Sequence, residues 1–141
     1  MPQRQLQFII EEFEYFTELV KSCMDGYLYV LDIEQDRYYI SESALERFNL
    51  PSNCFTNTAR VFRSFIHKDD YAWLMHDIHR LTSGETDYHD LDYRWIGTDG
   101  SPIWINCRGR SVRNQEGKPA YMIGCVDEIG RKQRADNISG L

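Results

Sequence analysis

The stretch from Asp90 to Ile129 most restricts what this chain can fold into, because a two-residue alternation runs through successive segments separated by glycine turns. Leu91, Tyr93 and Trp95 alternate with Asp90, Asp92 and Arg94; Ile103, Ile105 and Cys107 alternate with Trp104, Asn106 and Arg108. A strand sends successive side chains to opposite faces, so the pattern predicts a sheet with one buried and one wet face. Asp99-Gly100 and Glu116-Gly117 supply tight turns between the segments, and the third segment is AYMIGCVDEI.

The segments before this stretch predict the remaining elements. YLYVLDIE and DRYYIS read as two aromatic and β-branched strands joined at Glu34-Gln35-Asp36. Ser41 stands as a candidate N-cap before ESALERF, a short helix stopped by Asn49-Leu50-Pro51. From Ala59 to Phe65 one or two helical turns are expected. Asp69 or Asp70 is placed to cap a longer helix whose apolar stripe is Tyr71, Leu74, Met75, Ile78 and Leu81 and whose end is Ser83-Gly84. The expected architecture is α+β: five antiparallel strands with helices on one face. Ahead of it, Leu6, Ile9, Phe13, Phe16, Val20 and Cys23 recur at intervals of three and four among Glu11, Glu12, Glu14, Glu18 and Lys21, the pattern of an amphipathic helix. Ile10 and Leu19 widen its stripe enough for it to meet both its own domain and a partner chain.

Composition narrows the function. One chain of 141 residues is the size of a single ordinary domain. Sixteen Lys+Arg against 22 Asp+Glu leave a net charge of -6, which repels nucleic-acid backbones and anionic membrane faces. Cys23, Cys54, Cys107 and Cys125 are widely spaced with no C-x-x-C, so neither a zinc site nor a disulfide framework is expected. No signal pattern opens the chain and no apolar run approaches about 18 residues, so the expectation is a soluble, cytoplasmic protein with reduced thiols.

The order FIHKDD, helix, SGET, LDYRW, GTDG, IWINCRGRSV, NQEGKP, AYMIGCVDEI, GRKQ resembles the C-terminal half of a PAS domain of the fold-3 subtype. The likeness covers about two thirds of the chain closely. Lys68 stands where the family usually has Pro, and Asp127-Glu128-Ile129-Gly130 replaces D-I-T-E. The resemblance implies a PAS fold and a sensory role, with residues 52–65 walling a cavity. It also implies that His67 and the Asp pair after it are structural, fixing the start of the long helix.

Three kinds of chemistry follow from the resemblance and are weighed against the residues. Haem-binding PAS domains carry their axial ligand on the long helix, but His76 falls nearly opposite Leu74 and Ile78, and His79 falls on the flank. SNCFT around Cys54 is similar to the reactive motif of the flavin-binding LOV branch, yet Trp95, Ile105 and Val126 occupy the positions of that branch's flavin-binding amides, where apolar groups supply no orienting bonds. No haem, flavin or metal is therefore expected, nor any catalytic residue. The remaining candidate site is the inner sheet face, Tyr93, Trp95, Ile103, Ile105, Cys107, Gly124 and Val126, which either encloses a small organic ligand or fills itself.

After GRKQRA, Asp136-Asn137-Ile138-Ser139-Gly140-Leu141 is similar to the D-x-L-T-G-L opening of a GGDEF domain, the catalytic module of diguanylate cyclases. The implied organisation is a dimerisation helix over 1–24, a PAS domain over 25–129, and a linker with the start of an output domain over 130–141. The partners expected are a second copy, paired through Leu6, Ile9, Phe13, Phe16 and Val20, and the output domain; neither nucleic acid nor direct membrane contact is expected.

Overall fold

In a computed structural model of the chain, the residues described are Tyr15, Thr17 and 25–130. The strands are β1 (Tyr27–Asp32), β2 (Arg37–Ile40), β3 (Cys54–Thr56), β4 (Tyr88–Ile96), β5 (Pro102–Arg113) and β6 (Pro119–Gly130). They form one antiparallel sheet in the order β3-β2-β1-β6-β5-β4. Residues 25–130 also form two helices, α1 (Thr58–Phe65) and α2 (Tyr71–Thr82), and a short 3-10 helix (Glu42–Glu46).

The sheet has six strands, where the sequence predicts five. Cys54–Thr56 adds an edge strand by pairing with β2, and Phe55 is its single inward residue. Three residues are too few to show an alternation, which is why the pattern hides this strand. The helix after it, α1, is eight residues long, about two turns.

Alternation places the long strands as expected. Tyr93, Trp95, Ile103, Ile105, Cys107, Met122 and Val126 are buried with Phe62, Phe65, Leu74, Ile78 and Leu81 of the helices in one core. Tyr71 and Met75, the flanks of the α2 stripe, pack against its edge. The predicted turns are present, with Gly84, Gly100 and Gly117 at φ of 87°, 87° and 79°, the left-handed region a glycine enters without strain.

Both predicted N-caps act differently from expectation. The Ser41 hydroxyl accepts from the Leu28 N–H at 2.9 Å instead of capping the 3-10 helix. Asp70 occupies the cap position of α2 but makes no side-chain cap bond. Its carboxylate, only 7% exposed with the rest of the residue, takes Nε and Nη2 of Arg94 at 2.9 and 2.8 Å and the Arg94 backbone N–H at 2.9 Å. An arginine fork outcompetes a helix N–H because two charge-assisted bonds form at once. Helix α1 is served from elsewhere: Asp36, in the β1–β2 turn at φ 53°, accepts from the N–H and hydroxyl of Thr58 at 3.2 and 2.5 Å.

Candidate functional site

The inner sheet face brings together every residue the alternation assigned to it. Tyr93, Trp95, Ile103, Ile105, Cys107 and Val126 are all buried, and Gly124 lies between Met122 and Val126 on the same face of β6. The β1–β2 side adds residues whose facing the sequence left open. Tyr29 lies opposite Gly124 in register and Gly124 opposite Gly109, so two glycines sit beneath its ring. A Cβ on Gly109 would collide with the Tyr29 hydroxyl oxygen.

Aromatic rings occupy much of this face. Tyr29 stacks on Tyr38 at 5.7 Å between centroids, and Tyr38 stacks on Phe55 at 5.0 Å. Trp95 stands edge-on between Phe48 at 4.9 Å and Phe65 at 5.0 Å. Edge-to-face rings at such distances are held by their quadrupoles as well as by burial. Phe55 joins from a three-residue strand and Phe48 from an isolated bridge to Gly97 after the 3-10 helix, and neither segment is long enough to show a period. His89 was also missed, although it follows from Leu91 by one more step of the same alternation.

The polar groups on this face are neutral. The Tyr29 hydroxyl donates to the Arg108 carbonyl at 3.3 Å and accepts from the Cys107 thiol at 3.3 Å. Burial pushes Tyr29, Tyr38 and Tyr93 well above the ordinary phenol range and the Cys107 thiol up to about 12. An un-ionised thiol and three un-ionised phenols provide no nucleophile or base at neutral pH, so these four groups are suited to packing and weak hydrogen bonding.

His89 is 2% exposed, and its Nδ1 lies 2.6 Å from Asp77 Oδ2, tying β4 to α2. Burial holds this imidazole below its usual value even with the Asp77 carboxylate beside it. His76 and His79 are exposed, as the helical wheel placed them. His67 uses Nδ1 to accept from the Asp69 N–H at 3.1 Å, a local turn bond. Cys54 is exposed in β3, where its neighbour Phe55 takes the inward position. Among the described residues, no three His, Cys, Asp or Glu side chains are grouped so as to hold a metal ion.

The outer face carries the polar half of the alternation. Arg94 lies over the Trp104 ring at 5.0 Å and Arg110 over Tyr88 at 5.5 Å, while Arg108 pairs with Asp127 at 2.6 Å. The candidate dimerisation residues Leu6, Ile9, Phe13, Phe16 and Val20, and the segment Asp136–Leu141, lie outside the described residues.

The sequence profile of the PAS fold matches residues 37–126. The chain belongs to the PAS family. A probable diguanylate cyclase of Escherichia coli K12, DgcE, is 22% identical over 79 residues, which is 56% of this PAS chain and 7% of that protein. The chain therefore corresponds to a small part of that relative's length. Among solved structures, a sensory box histidine kinase/response regulator from Burkholderia thailandensis superposes with a TM-score of 0.64 at 22% identity, covering 86% of this chain and 90% of the other. The N-terminal domain of a diguanylate cyclase with PAS/PAC sensor from Marinobacter aquaeolei gives 0.63 at 21% identity, covering 74% and 95%. At these identities the superpositions establish the fold. No helix among the described residues is long and apolar enough to cross a membrane.

Proposed function

We propose that this PAS domain is the sensory and dimerisation unit of a larger bacterial signalling protein, a diguanylate cyclase, and that it performs no catalysis itself. The observation that carries this is the match of the PAS fold over residues 37–126 in a chain whose sequence relative is a probable diguanylate cyclase. The GGDEF-like Asp136–Leu141 supports the same output. Signal perception is a change in the packing of the inner face around Tyr93, Trp95, Ile103, Ile105, Cys107 and Val126, passed along β6 into the relative placement of two output domains. Such a shift needs two states that differ in ligand affinity or in dimer packing.

A second reading, a ligand-free interaction module, is favoured by one observation: the chain's own Tyr29, Tyr38, Phe48, Phe55 and Phe65 rings occupy much of the inner face. Purification with haem and flavin available, followed by absorption and mass spectrometry, separates the readings. A copurified small organic molecule whose loss follows Trp95→Ala supports perception through this face. Colourless protein with no such molecule leaves the interaction module. A visible absorption band would overturn both in favour of a haem or flavin sensor, for which the apolar Trp95, Ile105 and Val126 offer no hydrogen-bonding amides.

A further inference from the structure

Arg47 reaches Glu128 across 81 residues of sequence, with Nε 2.9 Å from Oε2 and Nη2 3.0 Å from Oε1, a two-bond fork between the end of the 3-10 helix and the last three residues of β6. The backbone around Arg47 is tied to the β4–β5 turn. The Thr98 N–H donates to the Arg47 carbonyl at 3.1 Å, the Asn49 N–H donates to the Ile96 carbonyl at 2.9 Å, and Phe48 bridges to Gly97. Phe48, the next residue, points the other way: it is 1% exposed and stands edge-on to Trp95 at 4.9 Å and to Tyr27 at 5.5 Å. One short segment thus touches the inner face with Phe48 and the terminal part of β6 with Arg47.

We infer that the Arg47–Glu128 fork is a clasp through which repacking of Trp95 against Phe48 changes the hold on the end of β6. Phe48 and Arg47 are consecutive on a segment hydrogen-bonded to the β4–β5 turn, so a displacement of the Phe48 ring that carries this segment with it re-aims the guanidinium. Cores are close-packed and respond to a displaced ring by shifting its neighbours. The fork is geometrically specific because both bonds must be met together. It is also easily opened, since the two side chains are 51% and 33% exposed and water replaces the lost bonds. An element that is ordered but cheap to release belongs to the low-stability end of a fold, where switching segments are found. The inference deepens the sensory reading and depends on it for its biological meaning, but its test needs neither a ligand nor an output domain.

The test is hydrogen exchange on the whole 141-residue chain, read at Val126–Gly130 and, as a control, at β2. Glu128→Gln is expected to speed exchange at Val126–Gly130 about threefold while β2 is unchanged. Raised salt should do the same to the native chain, because an exposed ion pair is screened. Trp95→Phe should speed exchange at the same amides in the native background and add nothing in the Glu128→Gln background, which is the signature of coupled sites. Phe48→Leu serves as the second perturbation if Trp95→Phe unfolds the chain. Unchanged exchange in Glu128→Gln, or effects of the two substitutions that multiply independently, would overturn the clasp.

Discussion

At Gly124 even a methyl group has no room. A Cβ there would meet the Arg108 carbonyl oxygen and lie 2.7 Å from the Gly109 Cα, both of them backbone atoms of the paired strand β5. Backbone in a central strand cannot step aside, so Gly124→Ala should destabilise the chain by about 3 kcal/mol in urea unfolding. Asp70 makes a prediction of a different kind. Burial alone would raise its pKa, but the Arg94 guanidinium and backbone N–H outweigh burial and hold the carboxyl below its ordinary value. A depressed carboxylate pKa contributes stability above the unfolded value of about 3.9, and the contribution is lost as pH falls through the folded value. His89, also depressed, behaves in the same sense around its unfolded value of about 6.5: protons bind the unfolded chain first, so stability falls as the solution is acidified below it. Urea midpoints should therefore drop in two steps, below about pH 6.5 and again below about pH 4. Asp70→Asn should cost about 2 kcal/mol at pH 7, since Arg94 would lose its charged partner, and should shrink the lower step, to which the depressed Asp87 and Asp99 also contribute; a midpoint unaffected by Asp70→Asn would exclude the fork as a structural tie.

Among the elements, α1 depends on a residue far from it in sequence. Its first N–H group is satisfied by Asp36, 22 positions earlier, because Asn57 at the cap position is in the left-handed region and makes no side-chain cap bond. Asp36→Ala should cost about 1 kcal/mol, the usual value of a lost cap, and should loosen α1 before the sheet in hydrogen exchange. The longer elements were legible because each repeats its pattern several times. Helix α2 shows a stripe through three turns, and β4 and β5 alternate over nine and 12 residues. Strand β3, with three residues, repeats nothing, and the 3-10 helix is too short for a period. Caps were misassigned for a related reason: Ser41 and Asp70 have the right chemistry for capping, but Leu28 and Arg94, brought close only by the fold, bind them instead.

For the whole molecule, the open matter is assembly. The sequence pattern sets Phe13 and Phe16 at the middle of the expected amphipathic stripe, and the proposed dimer would cover such a stripe. Light scattering at tens of micromolar should give a dimeric mass, and Phe13→Glu with Phe16→Glu a folded monomer; a monomeric mass for the native chain would end the dimer proposal. What the sequence determined by itself is the facing of the long strands and of α2, hence the α+β class and the membership of the inner face from Tyr93 to Val126, because period and face are properties of consecutive residues. The tertiary structure decided what fills that face and what binds across it. Tyr29 over paired glycines, Trp95 between Phe48 and Phe65, His89 on Asp77 and Arg47 on Glu128 join residues whose separation in sequence carries no local signal. Such pairings exist only once the strand order β3-β2-β1-β6-β5-β4 has set the ends of the chain's elements side by side.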